Sequence, residues 1–179
     1  MNSQIATDMG LRERRWVASD RSAPEDALEV LAMDKDVSVR KEVASNPSTP
    51  ADALEVLAMD ENEWVRRWIA INPNTPADAL KVLTMDKDVT VRRCIADNPS
   101  TPADALKVLA TDEEGVRYRV AGNRSAPADA LKVLAMDKDV SVRGEVAANP
   151  NTPADALKVL AMDKDVFVRA RVAYNPNFK

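Results

Sequence analysis

Apolar positions in this chain fall into two short clusters that recur together. In the stretch Asn72–Asp97, NPNTPADALKVLTMDKDVTVRRCIAD, the first cluster is Ala79, Leu80, Val82 and Leu83, with Ala77, Asp78 and Lys81 on the opposite side. That spacing predicts an amphipathic helix of about three turns. Thr75 is its expected N-cap, Pro76 its first residue, and Asp78 a carboxylate placed to favour the helix dipole. The second cluster, Val91, Ile95 and Ala96, predicts a helix that starts after Asp88 and stops before Asn98-Pro99, because a residue preceding proline leaves the helical region. The two are called the A and B helices. The B helix is expected to be the short one, with some 3₁₀ character.

This unit repeats. The prolines opening each A segment are Pro24, Pro50, Pro76, Pro102, Pro127 and Pro153, about 26 residues apart, with one residue missing near Gly115. A helices are therefore expected to start near 24, 50, 76, 102, 127 and 153. B helices are expected near 11–19, 37–45, 63–71, 89–97, 115–122, 140–148 and 166–174. Two such helices cannot bury a core alone, but stacked copies share one. The predicted fold class is all-α, a solenoid of six two-helix repeats, with a tail over 1–10 and a single repeat domain over 11–179.

The segments VRKEVASNPSTPADALEVLAMDEN from Val39 and VRGEVAANPNTPADALKVLAMDKD from Val142 resemble the bacterial leucine-rich repeat variant family, and the resemblance extends over roughly 11–176. It implies two helical layers wound into a right-handed α-α superhelix, in the style of HEAT and armadillo arrays. One family member carries an iron–sulfur cluster on a cysteine-rich segment. With Cys94 the only cysteine here, that feature does not carry over, and no cofactor is expected.

The copies serve as an internal alignment. An arginine recurs in every B segment: Arg14, Arg40, Arg66, Arg92, Arg117, Arg143 and Arg169. It reads as a structural ladder paired with neighbouring carboxylates such as Asp34/Asp36, Asp86/Asp88 and Asp163/Asp165, in preference to a row of anion receptors. Asn46, Asn72, Asn98, Asn123, Asn149 and Asn175 read as turn residues, and the column containing Asp78 as capping. The columns that vary are those of Thr90, Arg93, Cys94 and Asp97, which share one face of the B helix. Every aromatic residue except Phe178 stands on that stripe.

Aromatic residues and arginine are the types enriched at binding hot spots. The expected partner-binding residues are therefore Arg15, Trp16, Lys41, Trp64, Arg67, Trp68, Ile71 and Arg93, on a B layer expected to be concave. The leading partner is a protein or peptide. Nucleic acid is the rival, because the B segments sum to about +8 while the rest of the chain sums to about −12.

Other chemistry finds little support. There is no histidine and there are four scattered glycines, so neither the usual general base nor a phosphate-cradling loop can be assembled. The paired aspartates of MDKD lack the remainder of a calcium loop. A non-enzymatic, cytoplasmic scaffold without membrane association is expected. End-to-end self-association is a further expectation, because NPNFK stops before another Thr-Pro start.

Overall fold

The computed structural model describes residues 9–178, so residues 1–8 of the expected N-terminal tail lie outside the described residues. Among those described there are thirteen α-helices and no strand. The chain divides between Ser100 and Thr101 into two compact units. The first holds B helices Leu11–Ser19, Val37–Ser45, Glu63–Ile71 and Val89–Asp97, alternating with A helices Glu25–Leu31, Ala51–Leu57 and Ala77–Leu83. In the second, A helices Ala103–Leu109, Ala128–Leu134 and Ala154–Leu160 alternate with B helices Glu114–Gly122, Val140–Ala148 and Val166–Ala173.

The A helices begin differently from the expectation. Pro76 is extended, with φ −65° and ψ 153°, and the helix starts at Ala77. The Pro76 carbonyl accepts a hydrogen bond from the Leu80 amide. Thr75 does not cap this helix. Its buried hydroxyl turns back and donates to the Ile69 carbonyl of the preceding B helix at 2.6 Å, and Thr49 and Thr152 do the same to Val43 and Val146. A helix terminus leaves carbonyls without partners, and the threonine satisfies one of them. The aspartates of the Asp78 column stand in the first turn, where Asp104 and Asp155 each accept the amide of the following alanine at 3.0 Å. They act through charge on the dipole, and in the second unit through bridges from the preceding repeat: Lys107 to Asp129 at 3.1 Å and Lys132 to Asp155 at 2.8 Å.

The A helices span seven residues, two turns instead of three, while the B helices span nine, or eight in the last repeat, and are α-helical throughout. The B helix is therefore the longer of the pair and not the short, partly 3₁₀ one. Its ends are well defined. Asp88 accepts bonds from the Thr90 and Val91 amides, and Asp36, Asp139 and Asp165 act alike in their own repeats, whereas the Asn-Pro turn stops the other end. At the 25-residue step the shortened connection puts Glu113, whose side chain does not cap the helix, at the N-cap, and the helix starts at Glu114 rather than 115.

The core is the alternation the sequence implies, with one exception. Leu28, Leu54, Leu80, Val39, Val65 and Ile95 are fully buried, as are Leu106, Leu131, Leu157, Val116, Val142 and Val168 in the second unit. Burying a side chain of this size contributes roughly 1.5–3 kcal/mol. Val82, expected inward, is 54% exposed, and Val56, Val108, Val133 and Val159 share that fate. The geometry of the wheel explains it. At about 100° per residue, Ala79, Leu80, Leu83 and buried Thr84 centre on one direction and Val82 lies roughly 130° from it.

Successive repeats are joined by asparagine. The Asn72 side-chain amide donates to the Ala44 and Asn46 carbonyls of the preceding repeat at 2.9 and 3.1 Å, while its Oδ1 accepts the Asn74 amide. Asn46 and Asn98 repeat the pattern in the first unit, and Asn149 and Asn175 in the second. The residue that makes the turn also links the layers.

Candidate functional site

The fixed arginines and the variable stripe lie side by side on the B helices, and the first sets the stage for the second. Arg40 Nε and Nη2 donate to Asp60 of the next repeat at 2.6 and 3.1 Å, while Nη1 donates to the Asp34 carbonyl of its own repeat at 2.9 Å. Arg66 does the same to Asp86 at 2.6 and 3.0 Å and to the Asp60 carbonyl. Asp60 therefore receives one arginine on its carboxylate and another on its backbone, and the rungs interlock. Arg14 pairs with Asp34, Arg117 with Asp137 and Arg143 with Asp163, each at 2.6 Å. Arg92 donates to the Asp86 carbonyl and Arg169 to the Asp163 carbonyl.

Bidentate geometry of this kind is the strong form of the ion pair. The carboxylate hydrogen bonds raise Arg40, Arg66, Arg117 and Arg143 above the ordinary guanidinium value. The Arg143 hydrogen bond holds Asp163 below the usual carboxylate range against an opposing effect of burial. At Asp137 burial pushes upward most strongly, but the bonds from Arg117 and the Asp139 amide together outweigh it.

The stripe is open. In the first unit Trp16 is 66% exposed, Trp64 50%, Trp68 40% and Ile71 45%. The Arg67 guanidinium lies 5.4 Å from the centre of the Trp64 ring, within cation–π range. Arg15 reaches across to Glu42 of the next repeat at 2.7 Å. Beside this bridge lies a depression of about 150 Å³ lined by Arg15, Ser38, Lys41, Glu42, Ser45 and Trp68. Of the eight expected residues, the structure brings Arg15, Lys41 and Trp68 together there and stacks Arg67 on Trp64. Trp16, Ile71 and Arg93 are exposed on the same B-helix face but do not line the depression.

The expected set omitted Glu42, which positions Arg15. It also omitted the stripe of the second unit altogether. There a pocket of about 580 Å³ opens between Tyr118 and Phe167, over Gly144, Glu145 and Arg171. The signal was Gly144, a mid-helix glycine in the column that holds Arg15, Lys41, Arg67 and Arg93 in the first unit and Tyr118 and Ala170 in the second.

Among the described residues no group of three His, Cys, Asp or Glu side chains is placed to hold a metal, and no helix is long and apolar enough to cross a membrane. Alternating helices, stacked through shared asparagine and arginine rungs, define an α-solenoid repeat protein.

Residues 38–62 and 141–165 match the family model for the leucine rich repeat variant. A solved structure described as a leucine-rich repeat variant with a novel repetitive protein structural motif is similar at 28% identity. The alignment covers 97% of this chain and 70% of that one, with a TM-score of 0.69. Two of the repeats thus match that family's model, and the chain is similar in fold to a leucine-rich repeat variant. An engineered protein (22% identity, 98% of this chain and 69% of that one, TM-score 0.44) is more loosely similar. So is a set of computationally designed armadillo repeat proteins for modular peptide recognition (13%, 99% and 98%, TM-score 0.37). Both superpose too loosely to inform the site. No curated protein matches the sequence.

Proposed function

We propose that this chain is a non-enzymatic, cytoplasmic binding scaffold that presents the B-helix stripe of its first unit to a protein or peptide. The observation that carries this reading is the group of solvent-facing tryptophans, Trp16, Trp64 and Trp68, with Arg67 stacked on Trp64. Large rigid side chains left in water on a surface otherwise free to be polar act as anchors for a partner. The rungs beneath them supply rigidity, so little ordering is required on binding. Within each unit the B helices pack more closely on one another than the A helices do, which supports the B layer as the inner curve.

Nucleic acid is the weaker partner, because the ladder that supplies much of the B-layer positive charge is paired with aspartates. Selection of random peptides against the full chain, followed by titration of the enriched sequence, tests the reading. The Trp64→Ala/Trp68→Ala variant is expected to lose at least about tenfold in affinity, since each hot-spot truncation costs roughly 2 kcal/mol. Enriched peptides that bind the double variant equally well would sink it. So would a single-stranded oligonucleotide bound with a steep salt dependence that Arg67→Glu/Arg93→Glu removes.

A further inference from the structure

The pocket of the second unit differs in chemistry from the depression of the first. Its side walls are the rings of Tyr118 and Phe167, its floor is Gly144, and Glu145 stands within it. Arg171 Nη1 and the Tyr118 hydroxyl both donate to Glu145 Oε1, at 2.7 and 3.2 Å, and Oε2 has no hydrogen-bond partner among the described residues. The charged lining residues are Glu145, Asp165 and Arg171, an excess of one negative charge, whereas Arg15, Lys41 and Glu42 give the first depression an excess of one positive charge.

Gly144 is a second, independent sign. A glycine inside a helix is less stable than alanine, and a Cβ there would meet only Arg171 Cδ, at an ordinary 3.8 Å. Backbone packing therefore does not demand glycine. Four of the six other copies fill this column with Arg15, Lys41, Arg67 and Arg93, whose long side chains would occupy the floor, and the remaining two with Tyr118 and Ala170.

We propose that this pocket is a separate binding site for a guanidinium group, the arginine side chain of a polypeptide, held between the Tyr118 and Phe167 rings with Glu145 as its acceptor. A planar cation stacks on aromatic faces and presents several donors at once, which matches two rings beside an acceptor with spare capacity. The chain already places guanidinium groups on these side chains: Arg171 on Glu145, and Arg119 at 5.9 Å from the centre of the Tyr118 ring. Ser141 supplies a further hydroxyl acceptor at the rim.

The test is titration of the ¹⁵N-labelled full chain with N-acetyl-arginine amide, and separately with N-acetyl-glutamate amide, following backbone amide shifts. The arginine probe is expected to give saturable shifts around Tyr118, Ser141–Glu145 and Phe167–Arg171, with Kd on the order of millimolar for so small a ligand. Glu145→Gln should weaken it about tenfold, the loss of one charged acceptor, and Gly144→Arg should abolish it. The same spectra report whether each variant is folded. Trp64→Ala/Trp68→Ala should leave this Kd unchanged, so the site stands or falls apart from the peptide-binding reading above. Absence of saturable shifts, equal shifts with the glutamate probe, or an unaltered Kd in Glu145→Gln would overturn the proposal.

Discussion

The ladder arginines and the stripe arginines stand one residue apart, Arg14 beside Arg15, Arg66 beside Arg67 and Arg92 beside Arg93, yet they live in different surroundings. Arg66 is nearly inaccessible, held by the Asp86 carboxylate and the Asp60 carbonyl. Arg67 lies over an indole that is half in water. One turn of roughly 100° about the helix axis separates a side chain that faces the next repeat's loop from one that faces solvent. The lesson is that residue type does not set the role. The position does, because stacking supplies the next repeat's carboxylate to Arg14, Arg40, Arg66, Arg117 and Arg143 and a different neighbour to the other column.

Acid should break this contrast most completely, because it acts on more than one rung at once. Asp163 is held below its ordinary value by Arg143, and Asp137 is also lowered, its bonds outweighing the upward push of burial. A depressed carboxylate contributes stability that is fully present above its unfolded value, about 3.9, and is lost as pH falls through the lower folded value. The arginine partners are raised and stay charged throughout. The melting temperature is therefore expected to hold level from about pH 8 to about pH 5 and to fall steeply below about pH 4. A melting temperature still level at pH 2.5 would mean that the rungs contribute nothing.

A single rung can be opened by Asp86→Ala, which strands Arg66 in a buried position. Removing one partner of a buried pair costs about 3–5 kcal/mol. Arg67→Ala, one residue along from that arginine, should cost less than about 1 kcal/mol. Chemical denaturation of the two variants measures the difference, and equal costs would erase the distinction between the columns. Asn72→Ala comes next, at about 2 kcal/mol, because it leaves the buried Ala44 and Asn46 carbonyls without their donor. Asn74→Ala, which removes only an exposed bond to Pro47, should cost less than half of that.

The ease of reading these features from sequence follows the range of the interaction behind each. Element order and the buried Leu80, Val91 and Ile95 come from local periodicity, and the copies reinforce it. Thr75 was misread because a threonine before proline looks like a cap, while its actual partner is the carbonyl of Ile69, six residues back. Val82 was misread because it lies between buried neighbours in sequence while its angle on the wheel turns it roughly 130° from the buried direction. The arginine column was legible as paired, but its rung to the aspartate 20 residues on, in the next repeat, follows from stacking and not from any helical spacing. On the stripe, comparison of copies locates the exposed aromatics. The depressions follow from stacking, since Arg15 and Glu42, or Tyr118 and Phe167, come from different repeats.

The finest probe of the stripe is Gly144→Ala. If this column were merely a solvent-facing surface, alanine would be the better residue there. The substitution adds one methyl at ordinary contact distance from Arg171 Cδ and should stabilise the chain by roughly 0.5–1 kcal/mol, or about 1–4 °C in melting temperature. Gly122 gives the matched comparison. It stands at the last position of its helix, where a Cβ would meet Glu145 Oε2 at 3.6 Å, and frayed ends gain less from propensity than interiors do. Gly122→Ala is therefore expected to gain less than Gly144→Ala in the same calorimetric scan. A loss of stability at Gly144 would instead mark the glycine as a packing requirement of the Arg171–Glu145 bridge, and the open floor would then be a by-product of stacking and not a site kept clear for a ligand.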